Sequence, residues 1–376
     1  MGGTVNPLRI GMVGAGTISG AYLGTLRRLS NVEVVAISDL DKARAAAAAA
    51  ATPGARPLAV AELPAADDVD LVLNLTVPAA HAEVAHAAIA AGKHVYGEKP
   101  LAATTRQARE VLAAAARAGV RVGCAPDTVL GTGLQTARKY LDAGEIGTPV
   151  AATAFMVTPG HERWHPAPEF YYQPGGGPLL DMGPYYLSAL VTLLGPVRRV
   201  AGMSATPRAT RTIGSGPRAG TQIGVAVATH VTGVLEHVGG ALSTLVMSFD
   251  IWAGRLPHIE VYGTAGSLSV PDPNGFDGQV QIFRAGAEGW TPAAEAGGYQ
   301  GAARGYGVSD MASALVTGAA HRANGDLAYH VLDVMEGLLA AARSGHTTDI
   351  TSSCGRPVAV PSGARPDHPA APTLRR

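Results

Sequence analysis

At 376 residues, with Lys plus Arg and Asp plus Glu equal at 29 each, the chain is long enough for about two domains, each with a sizeable core. That balance argues against a partner held by bulk charge, so neither nucleic acid nor an anionic membrane surface is expected. The two cysteines, Cys124 and Cys354, are too few and too far apart for a disulfide framework or a thiolate metal site, which suits a reducing cytoplasm.

In chain order, the opening MGGTVNPLRIGMVG lacks the charged-then-apolar layout of a secretory signal. Asn6 stands where a myristoylation pattern wants Ser or Thr. Residues 8–125 then alternate strand-like LRIGMVG, VEVVAISD, VDLVLNLTVP, GKHVYGEKP and GVRVGCAP with helical ISGAYLGTLRRL, DKARAAAAAAA, AHAEVAHAAIAAG and TTRQAREVLAAAARAG. Continuous apolar strands alternating with helices predict a parallel sheet covered on both faces. From about residue 150, PVAATAFMV, IGVAVATHV, ALSTLVMSFDIW, HIEVYGTAGSLSV and QVQIFRA read as strands without intervening helices, hence an antiparallel sheet in a second domain. The segment GGGPLLDMGPYYLSALVTLLG reads as a helix carrying Asp181 and Tyr185 on one face, four residues apart. GDLAYHVLDVMEGLLAAARSG predicts a late helix, and residues 351–376, Pro-rich and polar, an extended tail. The expected division is therefore 1–127, 128–350 and a 351–376 tail. No apolar run reaches the ~18 uninterrupted residues of a membrane span.

RIGMVGAGTISGAYL is a strand, a glycine turn and a helix start, the setting in which a dinucleotide fingerprint carries meaning. Gly14 would make the tight turn, Gly16 would admit a pyrophosphate, and Thr17 and Ile18 complete the loop; Ser19 takes the third small position. Asp39 closes the second strand where a carboxylate bonds ribose hydroxyls and repels a 2′-phosphate, which points to NAD. Ser38 and Lys42 leave NADP open. The bland alternative is a structural turn and a capping acid.

Glu98, Lys99 and Pro100 follow a presumed parallel strand, at the sheet edge where open α/β folds bind ligands. These residues, with NLTVPAAHAEVAHAAIAAGKHVYGEKPLA and GGGPLLDMGPYYLSAL, resemble the glucose-fructose oxidoreductase/inositol dehydrogenase family, Gfo/Idh/MocA. The resemblance implies an α/β protein: a Rossmann domain followed by an α+β domain with an open-faced, mainly antiparallel sheet that often forms homodimer or homotetramer contacts. It implies nicotinamide-dependent oxidation or reduction of a sugar, glycoside or cyclitol. Lys99 matches the family's catalytic lysine and Asp181 its motif aspartate, while Thr76, Pro78 and His81 match the loop along the cofactor, as Glu98 and Lys99 match the next. Tyr185 stands where the family usually carries histidine.

Oxidising a secondary alcohol needs a proton acceptor and stabilisation of developing alkoxide charge. A phenol, at about 10, is a poor base, so Lys99 is expected to assist Tyr185, with Asp181 orienting the lysine or a substrate hydroxyl. The loop HERWHPAPEF offers His165 as a second acceptor and Trp164 as an apolar face for a sugar ring, with His161 in the same loop; local packing is the plain alternative. His230, His237, His258 and His330 lie in apolar segments and read as core histidines, and no metal-ligand spacing stands out. Two other classes remain open: a dinucleotide- and sugar-binding regulatory protein without turnover, and a tight-cofactor enzyme passing hydride between two sugars.

Overall fold

The computed structural model describes residues 6–368, in two compact units. The first is built on six parallel strands, β1 (Leu8–Val13), β2 (Val32–Ser38), β3 (Arg56–Pro57), β4 (Leu71–Asn74), β5 (His94–Gly97) and β6 (Val122–Cys124), ordered 3-2-1-4-5-6. Their helices are α1 (Ser19–Leu26), α2 (Lys42–Ala50), α3 (His81–Ala90) and α4 (Thr105–Ala118). Strands buried on both faces read as unbroken apolar runs, and Ile10, Met12, Ile37, Leu71 and Leu73 form the core accordingly. Helix ends are set locally: Asp41 accepts from Ala43 N and Arg44 N to start α2, Thr104 accepts from Gln107 N to start α4, and left-handed Gly119 ends α4. The sequence reading missed β3, two exposed residues with no apolar pattern to betray them.

The second unit begins within α5 (Thr132–Asp142) and continues through β7 (Pro149–Val157), α6 (Pro178–Leu194), β8 (Val197–Ala205), β9 (Thr210–Thr212), β10 (Gln222–Gly224), β11 (His230–His237), β12 (Leu242–Ser248), β13 (Ile259–Gly263), β14 (Gly266–Val270), β15 (Gln281–Arg284), β16 (Thr291–Pro292) and β17 (Thr348–Asp349). Nine of these strands form a sheet ordered 16-15-14-13-7-12-11-8-17, and β9 and β10 form a separate two-stranded sheet. The sheet is mixed: β7 and β12 run parallel, and every other pair is antiparallel. The reason is α6. It lies between β7 and β8 as a crossover, which returns the chain to start β8 in the direction of β7, so two hairpin steps later β12 also runs that way. α6 covers one face; the other is open, and β11 and β12 alternate buried and less buried residues accordingly.

The chain then returns to the first unit through α7 (Tyr306–Thr317), before α8 (Gly325–Ser344). The first unit thus comprises the chain up to Thr132, Gly297–Tyr329 and the residues from Pro357 on, and the second Gly133–Ala296 with His330–Arg356. This differs from the expected division at 127 and 350, because Val308, Met311 and Ala312 of α7 complete the apolar cluster around Tyr22, Leu26 and Tyr96. The expected tail is irregular but packed. Val360 is buried, its carbonyl accepts from Gly298 N, Arg322 Nε donates to Val358 O, and Asp367 accepts from Ser30 N and Oγ. Residues 369–376 of that segment, and residues 1–5 on which the lack of a leader was read, lie outside the described residues. Among the described residues no helix is long and apolar enough to cross a membrane.

Two buried carboxylates fasten the returning segment. Asp127, just after β6, accepts from Gly305 N at 2.8 Å and Gly307 N at 3.0 Å, while its Oδ1 has no partner. Asp310, on α7, pairs with Arg322 and accepts from Tyr299 Oη at 2.7 Å and Arg322 N at 2.8 Å. Asp310→Ala leaves the Arg322 guanidinium without its carboxylate and is expected to cost about 3–5 kcal/mol. Removing the solvent-exposed partner of Arg56, by Asp68→Ala, should cost under about 1 kcal/mol. Thermal or urea denaturation of both variants checks the contrast. Burial pushes the Asp127 carboxyl up to about 6, above its ordinary value near 4, so the folded state holds this proton more tightly than the unfolded state. Stability from this group is therefore full at low pH and lost as pH rises to about 6, by on the order of 2–3 kcal/mol. In Asp127→Asn, which keeps an acceptor for the two amides, that slope should disappear from urea melts across this window.

Candidate functional site

In the first unit, β1 ends at Gly14, whose N–H donates to Ser38 O at 2.8 Å. Its φ is +99°, and a Cβ there would lie 2.6 Å from the Leu75 carbonyl oxygen, so only glycine lets the ends of β1 and β4 approach this closely. Gly16 is different: a Cβ would meet nothing within 4 Å, which leaves open room beside the turn. Thr17 is exposed, Ile18 precedes the first turn of α1, and Ser19 closes the loop by donating from N and Oγ to Gly16 O. Ser at the third position therefore stitches the turn as well as fitting the helix against the sheet. Asp39 follows β2. Its Oδ2 accepts from Ala15 N and its Oδ1 from Asp41 N, both at 2.8 Å, with Arg44 Nη1 3.8 Å away. Two contacts leave carboxylate lone pairs for a ribose. Ser38 is fully buried with its hydroxyl toward Met12 O, so of the two residues considered for a 2′-phosphate only exposed Lys42 is available. The open side of Gly16, the helix start and the carboxylate fit a dinucleotide.

The loops after β4 and β5 lie beside this turn in the strand order. Asn74 ties the first together: its Oδ1 accepts from Thr76 N and Oγ1, and its Nδ2 donates to His81 O. Thr76 is half-buried and Pro78 exposed. His81 was expected along the cofactor, but it is buried, with Nδ1 at 2.6 Å from Pro100 O and Nε2 at 3.0 Å from Thr76 O. It clamps the loop after β4 to the EKP loop, and burial lowers its imidazole below the usual range. Glu98 accepts from Tyr22 Oη at 2.8 Å and from Lys99 N at 3.1 Å, so its carboxylate is held by the protein itself. Lys99 is half-buried at the carboxyl end of β5, and the Lys99–Pro100 peptide is cis.

In the second unit, α6 starts at Pro178 after Gly177, so Asp181 lies in its first turn and Pro184 inside it. Tyr185 is 5% exposed and Asp181 is half-buried on the same face. The partner brought to Asp181 is His161, with Nε2 to Oδ2 at 3.2 Å. The ring of His161 is walled by Phe249, Tyr171 and Trp164, with centroids at 4.4, 4.8 and 5.3 Å. His165, the expected second acceptor, instead turns Nδ1 to Ala167 N at 3.1 Å and packs on Trp164, Phe170 and Tyr171. Trp164 is 58% exposed and offers a free face. Of the histidines read as core, His237 and His330 are fully buried and hydrogen-bonded, and burial takes His330 down to about 4; His230 is half-buried and bonds Ser248, whereas His258, just ahead of β13, is exposed rather than core and bonds the Tyr186 hydroxyl.

Sequence reasoning missed what fixes this loop. Glu162, next to His161, accepts from the Tyr172 hydroxyl and pairs with buried Arg211 at 3.2 Å; Arg211 also pairs with Asp250 at 2.5 Å and donates to the carbonyls of Pro159 and Phe249. Arg211 comes from the short β9, where the only signal was an arginine in a segment with no strand pattern. No group of three or more metal-ligating side chains occurs among the described residues.

Two family profiles match the chain. "Oxidoreductase family, NAD-binding Rossmann fold" covers residues 8–125, and "GFO/IDH/MocA C-terminal domain" covers residues 134–269. A 1,5-anhydro-D-fructose reductase of Ensifer adhaerens is 37% identical over 46% of this chain and 53% of that protein. An inositol 2-dehydrogenase 3 of Saccharopolyspora erythraea is 36% identical over 43% and 48%. The chain spans about half the length of the curated relatives it matches. An NAD binding oxidoreductase structure from Klebsiella pneumoniae superposes with a TM-score of 0.77 at 26% identity, covering 92% of this chain and 100% of that one. Levoglucosan dehydrogenase, in complex with NADH and L-sorbose, shares the fold with a TM-score of 0.77 at 20% identity, covering 93% and 100%.

Asp39→Asn keeps an oxygen acceptor for Ala15 N but removes the negative charge, with Arg44 still beside it. The ratio of NADP to NAD affinity should rise about tenfold or more, equivalent to about 1.4 kcal/mol. Fluorescence titration with both reduced cofactors measures it.

Proposed function

The chain belongs to the Gfo/Idh/MocA oxidoreductases, with an NAD-binding Rossmann first unit, and we propose that it transfers hydride between NAD and a secondary alcohol or ketone carbon of a sugar, glycoside or cyclitol. The observation that carries this reading lies at the carboxyl edge of the first sheet. There the Gly14–Ile18 turn, the Thr76 loop and Lys99 follow the neighbouring strands β1, β4 and β5. The substrate class rests on relatives named as anhydrofructose reductase and inositol dehydrogenases.

Bound NAD supplies the hydride acceptor for oxidation, or as NADH the donor for reduction. The chain's own residues do the rest. The turn amides and the start of α1 hold the pyrophosphate, and Asp39 holds the ribose. Lys99 places an ammonium at the reacting oxygen, where it stabilises alkoxide. Tyr185, one turn after Asp181, assists proton transfer at the substrate hydroxyl, and Asp181 orients a substrate hydroxyl. Trp164 offers its exposed face to a sugar ring. The open face of the second sheet exposes Met203, Val234 and Leu242, which suits a homodimer or homotetramer through that face. A cytoplasmic setting fits a chain whose two cysteines are too few for a disulfide framework and which uses a nicotinamide cofactor.

Purified protein with NAD or NADH and a panel of sugars, glycosides and cyclitols should change nicotinamide absorbance with at least one of them; a silent panel removes the oxidoreductase reading. Lys99→Met should lower kcat by about 10²–10⁴-fold while cofactor binding, read by fluorescence, stays near the wild-type value. A fully active Lys99→Met enzyme would reject the role given to the ammonium.

A further inference from the structure

We infer that His161 is the group that takes the substrate hydroxyl's proton, with Asp181 holding its imidazole in the required tautomer; this rests on the oxidoreductase reading above. The helix position that would carry an imidazole in this family carries Tyr185 instead, and a phenol near 10 is a weak base at neutral pH. The motif aspartate nevertheless has an imidazole partner. It comes from a loop 20 residues earlier in the chain, with His161 Nε2 at 3.2 Å from Asp181 Oδ2.

A carboxylate only accepts, so the proton of this bond sits on Nε2, and Nδ1 keeps its lone pair. Nδ1 has no hydrogen-bond partner among the described residues. The side chain is 12% exposed and walled on three sides by rings, which leaves a shielded but reachable base. The titratable groups against its ring are Asp181 from α6 and Tyr171 from its own loop, and the other two rings against it, Phe249 and Trp164, are neutral. Asp181 lies in the first turn of α6, where the helix dipole favours a carboxylate.

The ring's position is set by its backbone. Gly160 has a φ of +114°, and a Cβ there would run into the Glu162 carboxylate, so the turn before His161 fits only glycine. On the other side Glu162 is locked to Arg211 and Tyr172, and Gly214 N donates to Glu162 O at 2.7 Å. A base held this way loses little on reaching its working geometry. His165 lacks this arrangement, because its Nδ1 accepts from Ala167 N.

In oxidation the substrate O–H bond breaks and its proton passes to Nδ1. The C–H bond breaks with both electrons, and the hydride leaves for NAD. The products are a ketone, NADH and an imidazolium stabilised by Asp181, which then returns its proton to water. Reduction runs the same steps backwards from the imidazolium.

The test compares His161→Gln, Tyr185→Phe and His165→Ala in kcat/KM for oxidation across pH. Wild type should gain rate with rising pH on its acid side, as the imidazole loses its proton. His161→Gln should lose about 10²–10⁴-fold together with that acid limb, whereas the limb persists in the other two variants. A limb retained in His161→Gln, or one lost in Tyr185→Phe instead, overturns the assignment. Nitrogen-15 NMR of the imidazoles gives a readout independent of turnover: the His161 signals should report a protonated Nε2 and a bare Nδ1 in wild type, and this tautomer preference should weaken in Asp181→Asn. A protonated Nδ1 in wild type overturns the proposal. If wild type turns over no sugar, glycoside or cyclitol, the oxidoreductase reading fails, while the NMR still judges the Asp181–His161 pair.

Discussion

The close approach of β1 and β4 at Gly14 is the constraint on which the first unit depends. In a sheet ordered 3-2-1-4-5-6 the chain reverses its direction of growth between these two strands, and their carboxyl ends open a crevice there. A side chain at Gly14 would collide with the Leu75 carbonyl, pushing apart the edge that carries the glycine turn, the Thr76 loop and, one strand further on, Lys99. Backbone proximity comes first, and the polar contacts are laid on it. Asp39 and Ser19 fix the turn from one side, Asn74 shapes the next loop, and His81 joins that loop to Pro100 O.

Buried charge then decides where irregular backbone sits. Burying an ion pair is weak as a source of net stability, because desolvation offsets much of the Coulomb gain. It is strong as a specification, because a misplaced partner leaves a buried charge exposed to no compensation. Asp310 with Arg322 and Tyr299 sets the segment that returns to the first unit, and Asp127 receives its backbone amides. Arg211 with Glu162 and Asp250 does the same for the His161 loop in the second. In both units a segment without regular secondary structure gains one geometry from a carboxylate that has only one place to go.

The elements legible in the sequence are those whose burial leaves a periodic mark. Apart from the short exposed β3, the parallel strands from Ile10 to Cys124 are apolar on both faces and broken by glycine, proline or aspartate, so their existence and order of appearance could be read directly. The glycine turn and Asp39 were legible because their spacing is fixed by one strand and one helix. What escaped depends on contacts between distant segments. Residues 297–329 return to the first unit because α7 fills a gap beside Tyr22 and Tyr96, a fit that no local pattern announces. The parallel β7–β12 pair follows from a crossover rather than from either strand's own residues. His81 could be placed on its loop by spacing, but which way its ring pointed depended on Pro100, 19 residues later. The choice between His161 and His165 turned on a side-chain direction within a four-residue step of loop.

That last choice bears on how the proton-transfer site proposed above can tolerate tyrosine in place of histidine. On α6, the residue one turn after Asp181 is nearly buried in a helix packed on the sheet, so its side chain has little freedom to adjust. A loop imidazole is free to be aimed, provided something else holds the loop. Here the cost of holding it falls on groups that need not touch substrate: a glycine with positive φ, a buried arginine and two carboxylates. The carboxylate that orients an imidazole can therefore stay on the helix while the imidazole comes from elsewhere, because the hydrogen bond depends only on where the two groups end up in space. Asp181 is the fixed member of such a pair, and the Arg211 network is what makes a mobile class of backbone precise enough to supply the other.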